Sequence, residues 1–152
     1  MTEPITTRRL RPGDEAILAY LAERDAEFDL EGRGEPLAPL AADRAAAYLA
    51  NPDVLHWVAF QGDRVAGSLY CVALPLRSGD GREVLLYEIG VHQECRRQGI
   101  GKRLIAEMEG WMRDNGVAEV WVLCDNPGAQ AFYEACGFAV DPEQPVYMTR
   151  RV

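Results

Sequence analysis

The spacing of apolar positions changes along this chain, and each change marks a predicted element. A β-rich run at residues 5–10 gives way to the turn Arg11-Pro12-Gly13-Asp14. Ile17, Leu18, Leu21 and Phe28 then recur at roughly helical spacing. They predict one helix over about 14–28, with Asp14 positioned to accept a helix N–H bond. Residues 29–39, with Gly32, Gly34, Pro36 and Pro39, read as loop. The alanine-rich stretch from Leu40 predicts a second helix, stopped by Asn51-Pro52.

The period then shortens. Residues 54–61 and 64–74 are rich in β-formers and are separated by Gly62-Asp63, a hairpin pattern. A turn cluster at 77–81 leads to a third strand over 83–91, whose apolar run is interrupted at Glu88. Antiparallel pairing of these three strands is the economical arrangement. After Gly99 the helical period returns, with Ile100, Leu104, Ile105, Met108 and Trp111 marking a helix over about 99–114 that Asn115-Gly116 ends. Residues 117–123 read as a buried strand, and Asn126-Pro127 opens a further helix that closes at Cys136-Gly137. Residues 138–140 and 146–150 are the last predicted strands. A strand–helix–strand crossover from 83 to 123 makes its two strands parallel neighbours.

Composition narrows the class. The 152 residues suit a single domain over 1–152, and 48% apolar with 26% charged residues is ordinary for a globular protein. The net charge of -8 argues against nucleic acid as a partner and suits a small cationic one, although acidity alone also serves solubility. Cys71, Cys95, Cys124 and Cys136 form no C-x-x-C pair, and His56 and His92 lie outside any zinc-ligand spacing, so no metal is expected. With no signal-like apolar segment in residues 1–11 and no run of 18 apolar residues, the expected location is cytoplasmic, without a membrane partner.

The chemistry concentrates at Arg96-Arg97-Gln98-Gly99-Ile100-Gly101-Lys102, between a strand and a helix. Helix N-termini present unpaired N–H groups and a positive dipole end, and so bind anions. Glycines at 99 and 101 allow close approach to the backbone, and Arg96, Arg97 and Lys102 add cations. The spacing fits neither a P-loop nor a dinucleotide fingerprint. A diphosphate site and a solvated basic loop stand level on this segment alone.

Arg96-x-x-Gly99-x-Gly101 after a strand resembles the acetyl-CoA-binding motif of the GNAT acetyltransferases. The run from Asn126 to Phe138 resembles the second signature of that family, N-x-x-A-x-x-F-Y-x-x-x-G-F, with Ala129, Phe132, Tyr133 and Gly137 in register. Tyr87-Glu88-Ile89-Gly90-Val91 before the basic loop, and Phe28-Asp29, are similar to the type I aminoglycoside 3-N-acetyltransferases. The resemblance implies an α+β fold, with a mixed, mostly antiparallel sheet of about six or seven strands flanked by four helices.

It also implies roles. Acetyl-CoA would lie with its pyrophosphate on the amides of Arg97, Gln98, Gly99, Ile100, Gly101 and Lys102, beside Arg96. Its arm would run along Ile89, Gly90 and Val91, against Asn126, Ala129, Phe132 and Tyr133. A main-chain N–H near Ile89 or Val91 would polarise the thioester carbonyl. Glu88 is the candidate base, because an ammonium with a pKa near ~10.4 must lose a proton before it attacks; a solvated strand face is the plain alternative. Tyr133 is the candidate acid for the leaving thiolate, and a core aromatic otherwise. Asp25, Glu27, Asp29 and Glu31 cluster near the end of the first predicted helix, and Asp125, Asp141 and Glu143 fall at strand ends. Of these, Asp29, Glu31, Asp125, Asp141 and Glu143, together with Glu88, are the candidate contacts to a cationic amine, an aminoglycoside first. A polyamine, a small metabolite or a protein amine is the alternative acceptor, and a non-catalytic acyl-CoA-binding module the alternative class. Pairing of edge strands into a homodimer is a further implication of the resemblance.

Overall fold

A computed structural model describes residues 3–29 and 34–152. In chain order the elements are β1 (Ile5–Arg9), α1 (Glu15–Glu23), α2 (Asp25–Phe28), α3 (Ala42–Ala50), β2 (Val54–Gln61), β3 (Arg64–Pro75), β4 (Arg82–Val91), a 3-10 turn (Gln93–Cys95), α4 (Ile100–Asp114), β5 (Val120–Val122) and α5 (Pro127–Ala135). The strands form one sheet in the order β1-β2-β3-β4-β5. The first three pairings are antiparallel, and β4 and β5 are parallel, as the crossover requires. Gly62 takes a φ of 60° in the tight turn that joins β2 to β3. This is the mixed, mostly antiparallel α+β architecture that the resemblance implies.

Alternation divides the sheet into two faces. Leu55 and Trp57 of β2, Leu69, Cys71 and Ala73 of β3, and Val84 and Leu86 of β4 point to one side, onto Ile100, Leu104, Ile105 and Met108 of α4. These α4 positions are the helical stripe seen in the sequence. On the other face Val58 joins Leu10 and Leu49, with Ile17, Leu18 and Leu21 of α1 packed against them. Burying a leucine-sized side chain is worth about 2 kcal/mol, so each face holds its helices mainly by apolar burial.

Three expectations need correction. Among the described residues the sheet has five strands, not six or seven: residues 138–140 and 146–150 are outside it, and residues 139–152 are exposed. Pro142 and Pro145 offer no N–H, Gln144 turns with a φ of 29°, and three-residue β5 offers little edge to pair with. The helix predicted over 14–28 is broken at Arg24, so the described residues form five α-helices rather than four. Ile17, Leu18 and Leu21 serve the core above Val58, whereas Phe28 turns toward Gly90 and His92, and one straight helix does not satisfy both. Asp14 does not cap α1 with its side chain. Its carboxylate instead accepts from both terminal nitrogens of Arg8, at 2.7 and 2.9 Å, and from the Arg11 N–H at 2.8 Å. Among the described residues, no helix is long and apolar enough to cross a membrane.

Candidate active site

The site begins where β4 and β5 part. Their pairing runs from Val84↔Val120 to Leu86↔Val122 and stops there, while β4 continues for five more residues. At that point β4 is also irregular. Tyr70 of β3 pairs with Glu88 and Cys71 with Leu86, so Tyr87 is an extra residue, a β-bulge. Without it, Glu88 would share the inward phase of Val84 and Leu86 and be driven into the core. With it, Ile89 and Val91 take up the inward phase, and both Tyr87 and Glu88 are exposed on the opposite side.

Beyond β4 the chain winds tightly into α4. Arg97 has a φ of 63°, uncommon for a residue with a Cβ, and Gly99 follows at 76°. No side chain caps α4. The N–H groups of Ile100, Gly101 and Lys102 precede the first helical bond, from the Arg103 N–H to the Gly99 carbonyl at 3.0 Å. The first turn holds no acidic residue, yet Lys102 lies in it and Arg97 adjoins it. Cations at the positive end of a helix are unfavourable unless an anion sits among them. The cleft they face encloses about 790 Å³ and is lined by Ile89 to Val91, Arg96, Arg97, Gly99 to Lys102, Gly128 and Phe132.

The glycines divide the work differently from the expectation. A Cβ at Gly99 would meet open space, so its φ is what demands glycine. A Cβ at Gly101 would lie 2.9 Å from the Phe132 ring, so Gly101 also makes room for that wall of the cleft. Arg96 lines the cleft, and its guanidinium donates to the carbonyls of Val91 (3.2 Å) and Asp29 (2.9 Å). It ties the end of α2 to the end of β4. Gln98 is exposed and its amide oxygen accepts from Gln61 at 2.9 Å.

Asn126 caps α5, its side-chain oxygen accepting from the Ala129 N–H at 2.7 Å. Its amide donates to Asp125 at 3.2 Å. Tyr133 lies deeper, 7% exposed, with its ring against Phe132 and Phe138. Burial, and secondarily the neighbouring Cys124, push its hydroxyl up to about 12. It borders a second groove along β5 rather than the 790 Å³ cleft.

Glu88 faces the α1–α3 side. Its edge is open to water, but the surrounding walls raise its pKa, and the charge of Asp25 raises it further. Asp25 is raised by burial and by Asp29. So Asp25, Asp29 and Glu88 gather at one place. Gly90 allows this: a Cβ there would meet the Cβ and the carbonyl oxygen of Phe28 at 3.0 Å, so α2 lies directly on β4. Glu27 is turned elsewhere and accepts from His92 Nε2 at 3.1 Å. His92 Nδ1 in turn accepts from Arg64 at 2.9 Å, and Arg64 pairs with Glu94.

The other predicted acids are not with Glu88. Asp125 acts on Tyr133. Asp141 and Glu143 lie on the exposed chain after α5, where the Glu143 N–H donates to Asp141 at 2.8 Å. Glu31 lies outside the described residues. Several residues around Glu88 had no sequence signal. His56 pairs with Tyr70 and Tyr70 with Glu88 across three strands, and Tyr48 of α3 closes over them with its hydroxyl 2.8 Å from His56 Nδ1. Only strand register brings them together.

The acetyltransferase (GNAT) family model matches residues 18–138. The N-alpha-acetyltransferase RimI of Mycobacterium tuberculosis is 33% identical over 141 residues, covering 90% of this chain and 80% of that protein. N-acetyltransferase 8 of Homo sapiens is 33% identical over 103 residues, and that of Rattus norvegicus 32% over 101. The chain spans only 44% and 45% of the length of those two relatives. Among solved structures, an aminoglycoside acetyltransferase, meta-AAC0020, from an uncultured soil metagenomic sample superposes with a TM-score of 0.82 at 22% identity, covering 97% of this chain and 96% of that one. The ribosomal-protein-alanine N-acetyltransferase of Brucella melitensis superposes at 0.75 with 19% identity, covering 98% and 100%. The fold is therefore common to enzymes named for different acceptors. From the uncapped α4 amides, the parted strands and the family match over residues 18–138, this chain belongs to the GNAT acetyltransferase family.

Proposed function

We propose that this chain transfers an acetyl group from acetyl-CoA to a small cationic primary amine, of the kind an aminoglycoside presents. The observation that supports it most is the pairing of two sites through β4. On one side is an anion-binding helix end in a 790 Å³ cleft, and on the other is a group of carboxylates around Glu88. GNAT enzymes use acetyl-CoA as donor. The amides of Ile100, Gly101 and Lys102, with Arg97 and Lys102, suit its pyrophosphate. Arg96 serves by holding the loop and α2 in place.

The arm then enters between β4 and β5, where a main-chain N–H between Ile89 and Val91 polarises the thioester carbonyl. The amine approaches from the α2–α3 side. Glu88, raised above the ordinary carboxylate range, takes its proton, directly or through water. The nitrogen bonds to the carbonyl carbon as the carbon–sulfur bond breaks, and its second proton leaves through water to restore the Tyr133 hydroxyl once that group has protonated the thiolate. The departing thiolate takes a proton from Tyr133, which burial keeps protonated at neutral pH. Acetylation removes one charge from an aminoglycoside, and antibiotic resistance would follow from that.

A second reading, a protein N-terminal amine as acceptor, is favoured by the 33% identity to RimI over 90% of the chain. Turnover with thiol detection over aminoglycosides, polyamines and short peptides separates them, with the acetylated nitrogen located by NMR. Release of coenzyme A with an aminoglycoside, and much less with peptides, is expected. Preference for a peptide N-terminus would overturn the small-amine acceptor. Binding of acetyl-CoA without coenzyme A release in any mixture would leave a non-catalytic acyl-CoA module.

A further inference from the structure

The face of β4 that carries Glu88 holds more than a base. His56, Tyr70 and Glu88 stand in one row across β2, β3 and β4. The bulge sets Tyr87 beside Tyr70, with ring centroids 5.4 Å apart. Tyr48 lies over Tyr70 at 5.6 Å. Three phenol rings from three elements thus adjoin one carboxylate, and the outermost, Tyr87, is 64% exposed on a bulge where packing does not require an aromatic.

The inner end of the group is set by His56. It is 6% exposed, its ring lies 5.6 Å from Tyr70, and its Nδ1 holds the Tyr48 hydroxyl. Its Nε2 has no hydrogen-bond partner among the described residues. A buried orphan nitrogen is a cost a packed core would shed, and such groups persist where they hold a functional neighbour in place. Burial keeps this imidazole neutral at physiological pH, so it offers no counter-charge to Glu88.

Neither does anything else among the described residues. No arginine or lysine there forms an ion pair with Glu88 or Asp25. Arg24 goes to Glu27 and the Tyr20 ring, Arg64 to Glu94, and Arg96 to two carbonyls. Two neighbouring carboxylates, the charge of Asp25 raising Glu88, walled by π-faces and paired with no cation among the described residues, are completed by a cation from outside.

Resting on the acetyl-transfer reading, we propose that Asp25, Tyr70 and Tyr87, with Tyr48 fixed by His56, hold a second, permanently charged ammonium of the acceptor next to the nitrogen that Glu88 deprotonates. The acceptor is then a compact diamine, not a monoamine. The reacting nitrogen must be neutral at attack, so it does not satisfy Asp25 or the aromatic faces. The second nitrogen keeps its proton and does both.

The test compares cis-1,3-diaminocyclohexane with cyclohexylamine, which differ by one ammonium, in acetyl-CoA turnover by the full chain. We expect kcat/KM for the diamine to exceed that for the monoamine at least 100-fold. Tyr87→Leu and Asp25→Asn should each shrink that ratio at least tenfold, through KM for the diamine, with KM for acetyl-CoA within twofold. Tyr87→Phe, which keeps the π-face, should retain the ratio. Tyr87 is exposed, so its replacement does not threaten the core. Equal use of both amines, or equal effects of Tyr87→Leu and Tyr87→Phe, would overturn the diamine site while leaving acetyl transfer intact. No turnover of either amine by protein that binds acetyl-CoA in calorimetry would overturn the acetyl-transfer reading and this site with it.

Discussion

Glu88 and Tyr133 are the residues to which the proposed reaction assigns its two proton transfers, and their environments differ in kind. Glu88 has no ion-pair partner among the described residues, and its pKa is raised by desolvation from the walls around it, then by Asp25. Because its folded pKa lies above the unfolded one, folding is favoured below the ordinary carboxylate pKa, and that gain is lost as pH rises through the folded value. At neutral pH the charged Glu88 therefore weakens the fold. Glu88→Gln should cut turnover at least about 100-fold, leave the Kd for acetyl-CoA within twofold, and leave the melting temperature unchanged or higher. The acid limb of kcat/KM should follow Glu88, at a pH above the ordinary carboxylate range, and should move to lower pH in Asp25→Asn. Wild-type turnover in Glu88→Gln would remove it from the reaction. Tyr133→Phe keeps the ring packing against Phe132 and Phe138, so stability should hold while turnover falls at least tenfold. A burst of acetylated product with slow thiol release has no place in that scheme and would count against it.

At the scale of elements, the site exists because short segments meet where the sheet is interrupted. The α4 N-terminus, the parting of β4 from β5 and the β4 bulge all fall within residues 86–102. Two glycines shape this region, Gly99 by its left-handed φ and Gly90 by the close approach of α2, and each supports a different half of the proposed reaction. At Gly99 an alanine costs about 1–2 kcal/mol for the left-handed conformation and turns the α4 amides out of line. Gly99→Ala should therefore weaken acetyl-CoA binding, measured by calorimetry, more than it affects KM for the amine. At Gly90 an alanine meets the Phe28 backbone at 3.0 Å and lifts α2, with Asp25 and Asp29, away from Glu88. Gly90→Ala should show the reverse, a raised amine KM. Identical kinetic effects of the two substitutions would contradict this division.

At the scale of the whole molecule, the sheet separates a conventional apolar core under α4 from a more polar face under α1–α3. Acid stability should reveal the second face. His56 is depressed to about 4 by burial. The unfolded chain takes up a proton below about 6.5 that the folded chain refuses, so stability present above 6.5 is lost as pH falls toward 4. The loss approaches about 1.4 kcal/mol per pH unit in that window. Denaturant midpoints measured from pH 7 to pH 4 should fall, and His56→Gln should flatten the fall. The same slope in both proteins would mean that His56 is not the group responsible.

Much of this could be read along the chain. The helical stripe of α4, the hairpin of β2 and β3, the parallel crossover and the basic glycine-containing loop before α4 are all local, set by side-chain period and by glycines at a turn. So was the interruption at Glu88, because a charged residue in an apolar strand is visible without coordinates. What the sequence could not supply was phase and neighbourhood. The direction Glu88 faces depends on one extra residue in β4 relative to β3, a relation between two strands rather than a property of either. The break at Arg24 is decided by competition between Val58 and Gly90 for opposite ends of one helical pattern. Tyr48, His56, Tyr70 and Tyr87 are far apart in the chain and meet only through register and packing. Local pattern determined the elements and the anion-binding turn; long-range pairing decided which side chains share a face, and so which charges meet at the site.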